Sequence, residues 1–95
     1  MNPNAWQKDA AGLALDLTVL FRDSGRVRLL ISNLARVAEQ SRQAAWDTYG
    51  APVFQQVASR RPGSRRAANA LARRLRDVLF SGAAAEAPTR LRGLL

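Results

Sequence analysis

Leu20-Phe21-Arg22-Asp23-Ser24-Gly25-Arg26-Val27, LFRDSGRV, is the stretch on which the fold turns. Upstream, Trp6, Ala10, Leu13, Leu17 and Leu20 or Phe21 recur at the spacing of one helical face. Downstream, Val27, Leu30, Ile31, Leu34, Val37, Ala38, Ala45 and Tyr49 do the same. The phase does not break between them: Trp6, Leu13, Leu20, Val27, Leu34, Ser41 and Thr48 form an uninterrupted seven-residue series through Asp23-Ser24-Gly25. One helix of about 45 residues, roughly 70 Å long at 1.5 Å per residue, therefore competes with a hairpin. An interior glycine costs only about 1 kcal/mol relative to alanine and does not exclude the long helix. Asp, Ser and Gly in succession make a better turn than helix, however, and the reading adopted is a hairpin with Ser24 capping its second arm.

Working outward, Asn2 with Pro3, or Asn4 alone, supplies a helix start. The second helix is expected to run unbroken to Tyr49 and to stop at Gly50 and Pro52. Pro52 to Ser59, with Val53, Phe54 and Val57, reads as a short third helix of two turns. Arg61-Pro62-Gly63-Ser64 is a break followed by a cap, and a fourth helix carries Ala67, Ala68, Leu71, Leu75, Val78 and Leu79 as far as Gly82. Residues 1–82 are thus expected to form the bundle domain. The remainder, AAAEAPTRLRGLL, has a helical turn near Leu91 at most, and residues 83–95 are expected to form a flexible or partner-ordered tail.

Composition agrees with an all-α fold, a small bundle of about four helices. The 47% hydrophobic content is carried largely by alanine and leucine, with few of the β-branched and aromatic residues that build sheets. Ninety-five residues suffice for one core and not for two. The opening MNPNAWQKDAAG lacks a basic segment followed by an apolar one, and no apolar run approaches the roughly 20 residues of a membrane span. The expectation is a cytoplasmic protein with no membrane span.

With no cysteine and no histidine, disulfides, thiolate nucleophiles, the usual catalytic triads and Cys- or His-ligated zinc are all excluded. Asp9, Asp16 and Asp23, spaced by seven, raise the question of a metal or carboxylate-pair site. At about 10 Å apart along a helix, neighbours cannot share one ion, and the series reads as an acidic edge facing arginines. No glycine-rich phosphate loop is present. A non-enzymatic protein without cofactor or metal is expected.

Charge is the outlying quantity. Of a net +8, the segment SRRPGSRRAANALARRLRD, residues 59–77, carries +6 in seven arginines and one aspartate. On a helical wheel with Arg65 at zero, Arg76, Arg73 and Arg66 fall at about 20°, 80° and 100°. The apolar residues of the fourth helix occupy about 200° to 320°, opposite them. Arg60 and Arg61 precede this helix and Arg74 sits on its flank, so seven guanidinium groups line one ridge. Coding bias and an ordinary solvated face both produce arginine, but one-sign charge costs self-repulsion that solubility does not demand. The ridge suits a nucleic-acid backbone or other polyanion, which Arg engages bidentately with release of counterions. Base readout is not indicated: Asn69 is the one amide among the arginines, and no aromatics interleave with them to stack bases.

Helix 1 is apolar on a second side, where Ala11, Leu15 and Val19 form an i, i+4, i+8 row. That row is read as a protein interface, to a partner or a second copy, with Trp46 as a further exposed anchor or else packed beneath the third helix. The function expected from these features is a small basic accessory subunit holding a nucleic-acid backbone without sequence specificity in a nucleoprotein or multi-subunit assembly. The alternative is a protein-binding regulator or adaptor whose arginine ridge docks on an acidic partner.

Overall fold

The structure, a computed structural model, describes the backbone of residues 3–95 and the side chains of residues 9–95. The cap expected at Asn2 and the side chain of Trp6 lie outside the described residues. Six α-helices follow one another: α1 (Pro3–Phe21), α2 (Ser24–Ala38), α3 (Arg42–Ala45), α4 (Ala51–Arg60), α5 (Arg65–Phe80) and α6 (Ala87–Arg92). Among the described residues there is no strand, and the fold is the expected all-α bundle. The long axis of the molecule is 35 Å, half what the continuous-helix alternative needs.

The chain reverses where LFRDSGRV was expected to turn. Arg22 adopts φ 58°, the left-handed conformation that ends a helix, and its N–H donates to the Thr18 carbonyl at 2.8 Å. Asp23, extended at φ −160°, then caps α2 by accepting from the Gly25 N–H at 2.8 Å. The cap is therefore Asp23 and not Ser24, which is the first helical residue. The seven-residue apolar series persists through the turn because both arms press on one core: Leu13, Leu20, Val27 and Leu34 are all buried.

The second helix does not run unbroken to Tyr49. It ends at Ala38, and Ser41, extended at φ −156°, restarts the chain by accepting from the Ala44 N–H at 3.1 Å. A serine in a polar stretch serves as a cap as readily as a mid-helix residue, and periodicity alone does not distinguish the two. Nor do Gly50 and Pro52 stop the helix. Residues 46–50 form a π-helical turn in which the Ala51 N–H reaches the Trp46 carbonyl five residues back, and α4 follows directly. Pro52 stands in the first turn of α4, where its missing N–H costs little.

Gly50 is required here by packing. The indole of Trp46 lies across it, stacked on the Phe54 ring at 5.9 Å, and a Cβ at residue 50 would fall 2.7 Å from Cζ3 of that indole. Gly50→Ala must displace a ring that is 7% exposed and held on its other side, so overpacking costs about 1–3 kcal/mol. Thermal unfolding followed by circular dichroism should show a melting point about 4–8 °C lower per kcal/mol lost. An unchanged melting point would mean that the indole moves aside freely.

The remaining helices close the core. Ala68, Leu71, Leu75, Val78 and Leu79 of α5 are buried, whereas Ala67, placed on the apolar face from the wheel, is exposed. Residues 83–95 are not a tail apart from the bundle. Ala87, Leu91 and Leu94 are 0%, 0% and 6% exposed, and α6 lies against α2 and α5. A segment with too little apolar surface to fold alone completes a core that its neighbours supply.

Two arginines fasten α6 and α3 to the end of α5. Arg42 Nη1 donates to the carbonyls of Phe80 (3.0 Å) and Gly82 (3.2 Å), and Arg90 donates to those of Val78 (3.3 Å) and Ser81. These carbonyls have no partners within the helix, and cations at a helix C-terminus also oppose its negative dipole end. Gly82 at φ 65° makes the turn, with Arg90 Nη1 only 3.0 Å from where a Cβ would stand. The C-terminal end of α5 is thus fastened to α3 and α6.

Candidate functional site

The N-terminal half of α5 packs on the core through Ala68 and Leu71 and turns its other face outward. Of residues 65–70 only Ala68 is buried; Arg65, Arg66, Ala67, Asn69 and Ala70 are exposed. α4 leads into it through a four-residue connection, Arg61-Pro62-Gly63-Ser64, in which Ser64 N–H donates to the Arg61 carbonyl at 2.8 Å. Ser64 makes no side-chain cap, contrary to the sequence reading; a short 3₁₀ turn takes its place. An open groove lies on this end of the helix, lined by Pro62, Gly63, Arg65, Arg66, Asn69, Ala70 and Arg73. Small residues give it room, and three guanidinium groups with one amide supply donors alone or donors beside a single acceptor.

The seven arginines of the ridge divide into two sets. Three are committed to the protein itself. Arg61 Nη2 donates to the Leu20 carbonyl, bracing the α4–α5 connection on the end of α1. Arg74 pairs with Asp16 at 2.8 Å across α5 and α1. Arg76 lies over the rings of Trp46 (5.7 Å) and Phe80 (5.5 Å). The other four, Arg60, Arg65, Arg66 and Arg73, are exposed, and their side chains make no hydrogen bond or ion pair with another described residue. Arg65, Arg66 and Arg73 are the three that the groove brings together.

The acids do not neutralise this end. Asp16 answers Arg74, Asp23 caps α2, and Glu86 and Glu39 pair with Arg90 (3.1 Å) and Arg92 (2.9 Å). Among the described residues no three acids gather in a way that would hold a metal ion. The nearest acid on the same helix is Asp77, one turn beyond Arg73.

Of the residues read as a protein interface, Ala11, Leu15 and Val19 are exposed, Leu15 at 64% and Val19 at 68%. Trp46 is not an exposed anchor. It sits in the core between Gly50, Phe54 and the Arg76 guanidinium, packed against α4. A second groove, between the end of α1 and α5, is lined by Val19, Leu20, Ala67, Ala70 and Leu71 together with Asp16, Arg22, Arg61 and Ser64. Ala70 lines both grooves, and Val19 is the member of the α1 row that lines the second.

The wheel found the arginines but not the use made of them. What it missed is the floor of the groove, Gly63 and Ala70, whose value is lack of bulk and which carries no chemical signal. It also missed Arg42 and Arg90, which hold the end of α5 from α3 and α6. No protein-family model, curated protein or solved structure matches this chain. Among the described residues, no helix is long and apolar enough to cross a membrane.

Proposed function

We propose that this chain is a non-enzymatic, cytoplasmic accessory subunit that holds a nucleic-acid backbone in the groove at the start of α5. One observation carries the reading. Arg65, Arg66 and Arg73 converge on an open groove with no acid among its lining residues, while other arginines of the ridge are spent on internal contacts. Guanidinium groups left unpaired in this way are available to phosphate oxygens, which they engage bidentately. The exposed row Ala11, Leu15 and Val19 is the second part of the reading, a surface for a neighbouring subunit or a second copy, and the mass in solution reports on it.

The salt dependence of binding to nucleic acid tests the reading. If Arg60, Arg65, Arg66 and Arg73 each neutralise one phosphate, log K against log salt on duplex DNA has a slope of about −3.6. The affinity then falls roughly 100-fold or more between about 50 and 200 mM salt. Absence of binding at the lower salt would sink the proposal. Binding that ignores salt would do the same, because backbone recognition without counterion release is not physical.

A further inference from the structure

We infer that the groove between α1 and α5 receives an acidic amphipathic helix of a partner protein, and that this helix and nucleic acid exclude one another. The inference rests on the reading of the exposed α1 row as a protein surface and adds what covers it. The apolar part of the groove is Val19, Leu20, Ala67, Ala70 and Leu71. Val19 also ends the row Ala11, Leu15 and Val19, which runs about 12 Å along the outward side of α1. A partner helix that meets such a strip sets apolar residues at i, i+4 and i+7, a repeat of about 10 Å that fits within it.

Charge decides the chemistry of the occupant. Asp16, Arg22, Arg61 and Ser64 complete the lining. Asp16 is answered by Arg74 at 2.8 Å, which leaves Arg22 and Arg61 to set the sign of the groove. Arg65, Arg66 and Arg73 stand in the neighbouring groove across Ala70. Nearby, Asp23 is engaged as the cap of α2, and Asp9 and Asp77 line a separate cleft, with Asp9 about 15 Å along α1 from Val19. Apolar side chains flanked by carboxylates therefore match both the strip and its margin. A nucleic-acid backbone has the negative charge without the apolar surface. A second copy has the apolar row, but it brings a net +8 to a surface that is already positive.

Ala70 links this site to nucleic-acid binding. It lines both grooves, so they lie on either side of one exposed methyl group. A helix with its side chains is about 10–12 Å across. Seated in the apolar groove, it covers Ala70 and turns its flanking carboxylates towards Arg66, a ligand for phosphate in the reading above. The two ligands then compete, and departure of the partner frees the basic groove.

The test uses the full chain and three labelled synthetic peptides of about 18 residues, long enough to form helix. The first carries leucine at i, i+4 and i+7 with glutamate on both flanks, the second has lysine for each glutamate, and the third has alanine for each leucine. By fluorescence anisotropy at low salt, the first should bind about tenfold or more tighter than either control and should displace a DNA duplex. Val19→Gln, an exposed and uncharged change that leaves helicity intact, should weaken the first peptide about tenfold. Equal binding of the alanine peptide, or an unchanged Val19→Gln variant, reduces the contact to charge attraction and overturns docking in the apolar groove. Simultaneous binding of peptide and duplex overturns the exclusion. A chain that is dimeric in solution and becomes monomeric on Val19→Gln makes a second copy the occupant, which overturns the inference and keeps the row as an interface. A monomer that binds none of the peptides overturns both. Titration of the duplex without peptide reports on backbone binding independently of all these outcomes.

Discussion

Removal of residues 83–95 should leave a chain that does not fold. Three side chains of this segment, Ala87, Leu91 and Leu94, are buried in the same core as Leu34, Leu75 and Leu79. Taking them away uncovers α2 and α5 together, because α6 lies against both. Leu91 alone, at 0% exposure, has the environment in which Leu→Ala costs about 2–5 kcal/mol. The deletion also removes Arg90, leaving the Val78 and Ser81 carbonyls at the end of α5 without that donor. A chain of this length is stable by about 5–15 kcal/mol in all, so the combined loss reaches the whole of it.

Circular dichroism of the 1–82 chain should show little helix and no cooperative melt, while Leu91→Ala in the full chain should melt cooperatively at a lower temperature. Leu95→Ala is the control: at 55% exposure the side chain has little to lose. A truncated chain that melted like the full one would return these residues to the status of a tail.

The same segment shows what kind of information the amino-acid order carried. Elements that bury a continuous apolar face were legible: the hairpin at Asp23, the α5 face of Leu71, Leu75, Val78 and Leu79, and the exposure of Leu15 and Val19 opposite the buried side of α1. Elements whose place depends on partners distant in sequence were not. Leu91 is a core residue only because α2 and α5 have left room for it, and nothing in TRLRGLL announces that room. Ser41 and Gly50 failed for a related reason. Each has a local reading, mid-helix polar residue or helix stop, that the tertiary structure replaces with another, a cap in one case and a seat for the Trp46 ring in the other.

The site divides along the same line. That residues 59–77 carry the excess charge needed only a count. Which arginines remain free depended on the positions of Leu20, Asp16 and Trp46, contributed by α1 and by the turn before α4. Seven candidate phosphate ligands thereby become four, and only three of those share a groove.

Arg66→Glu combined with Arg73→Glu should reduce affinity for duplex DNA at least 100-fold with no change in helicity. Both side chains are exposed and contact no other described residue through a hydrogen bond or ion pair, so the fold loses nothing when they change. Two phosphate contacts disappear and two carboxylates now face the backbone from inside the groove. The salt slope should fall by about 1.8, since each lost contact releases about 0.9 fewer counterions.

Net charge must be separated from position, and Arg26→Glu with Arg28→Glu does this: the overall change is the same, but both residues belong to α2. If only the uniform field of a +8 protein mattered, the two pairs would weaken binding equally. A site at α5 requires the α2 pair to retain most of the affinity and nearly all of the salt slope. Equal losses would overturn the groove as the binding site, because they would show that charge anywhere on the surface serves as well as charge at the start of α5.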